Sequence, residues 1–381
     1  MQGKTILVGT VSVISTFLII IGYFIGYEHL WNIWKIPSMS MSFSDLRNLT
    51  SASESLALGY DPLYDNPQDP WQRPLNQPRL VQSILKFTHI NQGNTVLIGI
   101  LFGLLFLTGI FIVFRKLDKT SAIIISFLIF SPAAILGVER GNHDLLIFFL
   151  VALAVFLADQ AWLSMSVLLL ASFIKLFPVF AVLYLFKFTT KKSIMICSVF
   201  LLFFLSYMLY NLPDLPQVFK STQKGFYQWA YGVMTYDEKA TAYAYIPAAA
   251  VLISTTMFYV NHLRLRGWIE SDLTYLDAFR AGAGVYLGTF LLGNSWAYRL
   301  IFLIFTVPQL VTWIKIDRDR KLVSIVALVS TIGSCCPAWV DSGILDEIFN
   351  WLLFISLLYL MLSVLPAIFQ TLILKNKIKK S

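Results

Sequence analysis

The chain has 381 residues, of which 57% are hydrophobic and only 13% charged, with a formal net charge of +8. Soluble proteins hold roughly 45–50% apolar and roughly 25% charged residues, so this composition excludes an ordinary soluble enzyme. Nucleic acid is excluded as a partner because Lys and Arg gather in short segments between apolar runs.

The apolar runs have the length needed to span roughly 30 Å of hydrocarbon, about 20 residues of helix. Lipid admits only backbone whose hydrogen bonds close internally, so such segments are helical. In chain order they predict helices near 5–26, 94–114, 120–137, 144–158, 161–173, 177–188, 193–211, 243–262, 273–292, 299–314, 321–336 and 348–371. The first run is longer than a signal-peptide core and lacks a small-x-small cleavage site, so it reads as a retained helix. The pair 161–173 and 177–188 is short and reads as a hairpin broken around Ile174 to Pro178. Cys197, Cys335 and Cys336 lie in or at the end of apolar runs without CxxC spacing, so neither zinc nor disulfides are expected. The expected fold is all-α and polytopic, about twelve crossings in a single domain over 1–381, with a large first loop at 27–93.

Loop charge sets the orientation. With the N-terminus cytoplasmic, the short inner segments hold Lys4, Arg115, Lys116, Lys119, Lys187, Lys191, Lys192, Arg264, Arg266, Lys315, Arg318, Arg320, Lys321, Lys375, Lys377, Lys379 and Lys380. The other side has fewer cations, spread mainly over two long loops, and Arg280 is left inside a helix. Both termini are therefore expected in the cytoplasm and the loops 27–93, 138–143, 174–176, 212–242, 293–298 and 337–347 outside it.

Polar residues are conspicuous on that outer side. Residues 45 to 58 suit a short amphipathic helix, followed by a Pro- and Asp-rich turn region. Asp45, soon after the first helix, is a candidate general base, or else a solvated loop carboxylate. Glu139-Arg140-Gly141-Asn142-His143-Asp144 joins two apolar helices with little room for solvent; ionisable groups in such a place are costly and usually functional. The alternative is a self-neutralising turn, with Glu139 paired to Arg140 and Asn142 or Asp144 as a cap. Lys175 interrupts an apolar stretch three residues before Pro178, either as a cation held for an anionic ligand or as a snorkelling side chain. Tyr298-Arg299 begins a further helix, and Arg is the better bidentate phosphate clamp. Gly284 and Gly288 form a small-xxx-small step that packs helices.

In this order, Asp45, Gly59-Tyr60-Asp61-Pro62, Asn76-Gln77-Pro78, Arg140-Gly141-Asn142, Lys175 ahead of Phe177-Pro178, and Tyr298-Arg299 resemble the GT-C superfamily of polyprenol-phosphate-sugar dependent glycosyltransferases, most closely family 87, which includes mannosyltransferases. The likeness spans nearly the whole chain and departs at Leu46, where an aromatic residue is usual, and at Gln77, in place of an aromatic. It implies a plasma-membrane hexosyltransferase acting at the extracytoplasmic face without a cofactor or metal. A polyprenyl-phosphate sugar would be the donor, and a glycolipid, polysaccharide or protein the acceptor. Asp45 would be the base, Lys175 and Arg299 the donor-phosphate ligands, and Glu139, Arg140, Asn142, His143, Asp144 and Tyr298 substrate-binding residues. A transporter or lipid flippase, which needs ionisable groups deep in several helices, and a non-catalytic envelope scaffold remain the rival readings.

Overall fold

A computed structural model describes residues 2–187, 190–226, 228–235, 242–266, 275–340 and 342–364. Lys375, Lys377, Lys379 and Lys380, together with residues 188, 273–274 and 365–371 of the expected helices, lie outside the described residues. The described chain is mostly helical, with almost no strand. Among the described residues, five helices are long and apolar enough to cross a membrane, or six if a bent pair counts as one span.

Helix α1 (Gln2–Ile25) is followed by a short α2 (Tyr27–Ile33), then α3 (Ser44–Ala57) and α4 (Arg79–Thr88) within the first long loop. A 3-10 turn, Gln92–Asn94, leads into α5 (Thr95–Val113). Helices α6 (Lys119–Ile129) and α7 (Pro132–Arg140) are one apolar rod bent by 49°. Ser131 caps the second half and Pro132 opens it, because proline lacks the N–H a continuous helix would need. Next come α8 (Asp144–Phe156), α9 (Ala161–Ile174), a 3-10 helix at Phe177–Lys187, α10 (Thr190–Tyr210) and α11 (Leu215–Ser221). The chain continues through α12 (Tyr245–Arg266), α13 (Leu276–Leu291), a 3-10 helix at Ala297–Thr306 that runs into α14 (Val307–Ile316), α15 (Lys321–Cys335), α16 (Pro337–Val340) and α17 (Gly343–Ser363).

Helix α13 is the buried centre, packed against both 3-10 helices and α17. A Cβ on Gly284 would lie 2.3 Å from the Phe180 carbonyl oxygen, and one on Gly288 would lie 2.0 Å from the Phe180 ring. The small-residue step is therefore a packing surface for Phe177–Lys187, as its spacing suggested. Phe148 stacks on Phe305 at 4.4 Å between these layers and α8. Outside, Ile19, Tyr23 and Phe24 of α1, Leu97 and Ile100 of α5, and Leu202 and Phe203 of α10 stand exposed. So much outward-facing apolar surface suits hydrocarbon, not water.

The loops separate to two ends. Helix α1, about 36 Å long at 1.5 Å per residue, has Gly3 against the Leu117 carbonyl at one end, and just past its other end Tyr27, the first residue of α2, lies beside Glu139. At the first end Lys315 pairs with Asp118 at 2.6 Å, and Tyr275 donates to the Lys116 carbonyl. Arg280 lies inside a helix, as expected, and near this end: it is one turn into α13 and donates to the Val364 carbonyl at the end of α17.

Candidate active site

The other end gathers the polar residues singled out above. Helix α3 begins where Phe43 adopts a left-handed φ of 59° and donates its N–H to the Glu139 carbonyl oxygen at 3.1 Å. That bond docks the start of α3 on the end of α7 and sets Asp45 in the first turn, where the helix dipole favours a carboxylate. Gly141 makes the docking possible: its φ is +57°, and a Cβ there would lie 2.8 Å from the Cβ of Phe43. Asn142 then bridges the two elements. Its Nδ2 donates to Asp45 Oδ2 at 2.7 Å, and its Oδ1 accepts the Asp144 N–H at 2.9 Å, a local turn leading into α8.

Asp144 is almost fully buried, its side chain 1% exposed, and each of its oxygens meets a cation. Lys175 Nζ binds Oδ1, and Arg299 Nε binds Oδ2 at 3.3 Å. Lys175 occupies the break between α9 and the 3-10 helix beginning at Phe177, in extended backbone. Pro178 and the packing of Phe180 on α13 impose that break. Arg299 also donates to Ser295 Oγ at 3.0 Å and lies over the Phe177 ring at 4.5 Å. Its segment is held by a two-residue antiparallel pairing, Ala230 opposite Trp296 and Tyr231 opposite Ser295. Two cations therefore share one carboxylate, and both keep a fraction of their side chains accessible, 18% for Lys175 and 14% for Arg299. Between Lys175 and Arg299 the two cations outweigh the one carboxylate they share, and with little water that spot favours an anion.

His143 is buried beside this group, and neither ring nitrogen has a hydrogen-bond partner. Burial, with Lys175 and Arg299 adding to it against Asp144, pushes the imidazole down to about 3, so it is neutral at physiological pH. Tyr298 is buried with Asp45, Asn142 and Asp144 around it, and its ring lies parallel to Trp296 at 5.9 Å. Asp45, the most accessible of the group at 24%, also faces Arg73 Nη1 at 3.7 Å.

Glu139 and Arg140 differ from the rest of their turn. Both belong to the last turn of α7 and point under the docked loop, paired to each other at 3.2 Å. Tyr27 and the Met39 N–H donate to Glu139, while Arg140 donates to Ser44 Oγ and the Pro37 carbonyl. Glu139 Oε2 and Arg140 Nε face each other as an ion pair without a hydrogen bond, and the other bonds run to protein groups, which resembles the self-neutralising arrangement considered from sequence; the turn meets the site through Asn142, His143 and Asp144.

Arg73 is the residue that sequence reasoning passed over. It is bound by Asp69 through both Nε and Nη2, each at 3.0 Å, donates to the Ser44 carbonyl at 2.6 Å and stacks on Trp71. The only signal for it was the four-residue spacing from Asp69. Asp61 of the Gly-Tyr-Asp-Pro element has a tying role: it accepts from Arg79 at 2.7 Å, and Arg79 also grips Asp214 with two bonds, joining the first long loop to the segment before α11.

No family model, curated protein or solved structure matches this chain. Among the described residues, no three His, Cys, Asp or Glu side chains gather as a metal cage.

Proposed function

We propose that the chain is a GT-C-type hexosyltransferase of the plasma membrane, with about twelve crossings, cytoplasmic termini and its reaction at the extracytoplasmic face. Its donor is a polyprenyl-phosphate sugar, mannose being the first to test, and its acceptor a glycolipid, polysaccharide or protein. Asp45 takes the proton from the acceptor hydroxyl as the oxygen attacks the anomeric carbon, and the bond from that carbon to the phosphate oxygen breaks. Lys175 and Arg299 stabilise the departing polyprenyl phosphate, and the configuration inverts. His143, being neutral, serves sugar hydroxyls with one donor and one acceptor nitrogen, and Tyr298 lines the same space.

The observation that carries this reading is the convergence of Lys175 and Arg299, from distant parts of the chain, on Asp144 beside the partly accessible Asp45. A transferase of lipid phosphates needs cations and a base together. A transporter needs ionisable groups strung along a path; Arg280, the candidate for that, is engaged near the opposite end.

Affinity of the purified chain for a polyprenyl-phosphate hexose tests the reading. Lys175→Ala is expected to weaken it by about tenfold or more, the worth of a charge-assisted bond. Folding should survive, because Asp144 and Arg299 remain as a balanced pair. Unchanged donor affinity in a folded variant counts against the phosphate role.

A further inference from the structure

At the end opposite Asp45, a cavity of about 890 Å³ opens between the first turns of α1 and the connection from α5 to α6. Lys4, Val8, Arg115, Lys116, Asp118 and Tyr275 line it. Its three cations are exposed, and among the described residues none of them makes an ion pair. The one carboxylate at the rim does not offset them, because Asp118 is taken by Lys315 and by the Ser121 hydroxyl. The Arg115 guanidinium lies over the Phe156 ring at 4.3 Å, a contact that uses none of its N–H donors and leaves them for a ligand. The loop is fixed in place: Tyr275 donates to the Lys116 carbonyl at 2.6 Å, and Gly3 lets α1 approach the Leu117 carbonyl closely.

The cavity continues into an apolar wall. Val8 lines it and is 44% exposed, and Ile19 and Tyr23, further along the same flank of α1, are 73% and 84% exposed. An anionic head group with hydrocarbon attached matches both parts, whereas a free anion would use only the first.

We infer that this cavity binds an anionic phospholipid, its phosphate held by Lys4, Arg115 and Lys116 and its acyl chains laid along α1 from Val8. The inference rests on the chain being a membrane protein and is independent of the transferase reading. Basic pockets between membrane helices recognise such head groups, at roughly a fivefold gain in affinity for each cation near the surface. With Lys4 on α1 and the other two on the loop before α6, the lipid ties these elements together.

The test uses the full-length chain in detergent with fluorescent phosphatidylglycerol and phosphatidylcholine as probes and inorganic phosphate as competitor. Phosphatidylglycerol is expected to bind about tenfold more tightly or better, and millimolar inorganic phosphate to leave it bound. Combined Lys4→Gln, Arg115→Gln and Lys116→Gln substitution should abolish the preference, Arg115→Gln alone should lower it roughly fivefold, and Lys86→Gln on α4 should leave it unchanged. If the combined variant does not fold, Arg115→Gln decides. Equal binding of the two lipids, an unchanged preference in a folded Arg115→Gln or combined variant, or full displacement by millimolar phosphate each overturns the inference, the last in favour of a free-anion site.

Discussion

The two ends of the molecule use the same ion-pair chemistry in opposite settings. At one, Asp118 and Lys315 make a single contact with side chains 35% and 48% exposed. At the other, Asp144 is 1% exposed and holds Lys175 and Arg299 at once. Exposed pairs contribute little because water solvates each partner almost as well. Buried charges are expensive to desolvate and tolerate few geometries, so the Asp144 group fixes the relative placement of α8, the break after α9 and the segment entering α14.

The comparison breaks most readily at Asp144. Asp144→Ala leaves two buried cations without a counter-charge and is expected to cost about 3–5 kcal/mol, whereas Lys315→Ala should cost no more than about 1 kcal/mol. Thermal unfolding in detergent reads both, and equal shifts would remove the distinction between the ends. Gly141→Ala comes next, at about 1–3 kcal/mol, because it forces a left-handed backbone and pushes on Phe43; the same unfolding assay should show it well above Lys315→Ala.

A smaller effect belongs to the Asp61–Arg79–Asp214 clamp. The two bonds from Arg79 hold Asp214 below its usual value of 3.8 and raise Arg79 in turn. A depressed carboxyl stabilises the fold fully above its unfolded value and loses that contribution as pH falls through the native one. The first long loop should therefore open to protease as pH drops below about 4. Arg79→Gln should flatten that dependence at a cost of about 1 kcal/mol; a pH profile identical to wild type would contradict the clamp.

The apolar runs made most helices legible, because hydrocarbon demands both length and composition. Helix α3 was legible too, since its leucines recur at helical spacing over 44–57. The break at Lys175 could be read from Pro178, but the 3-10 form of Phe177–Lys187 could not, as it depends on Phe180 seating against Gly284 and Gly288 from a distant helix. In the candidate site, the residues were found by asking which polar groups stand where they are expensive. That question could not assign partners. It did not reveal that Asp144 bridges both cations, that Glu139 and Arg140 turn inward to Tyr27, Met39 and Pro37, or that Arg73 faces Asp45. The first two depend on residues brought together from separate parts of the chain, and the third on how the first long loop folds back on itself.

The most direct test of the central claim is sugar transfer from radiolabelled polyprenyl-phosphate mannose, glucose and arabinose in membranes containing either the wild-type chain or Asp45→Asn. The substitution preserves shape and the contact with Asn142 while removing the proton acceptor. Transfer of one of these sugars by wild type, reduced about 10²–10⁴-fold in Asp45→Asn with donor binding retained, is the expected result. Undiminished transfer by folded Asp45→Asn would contradict the assignment of the base and, with it, the proposed site.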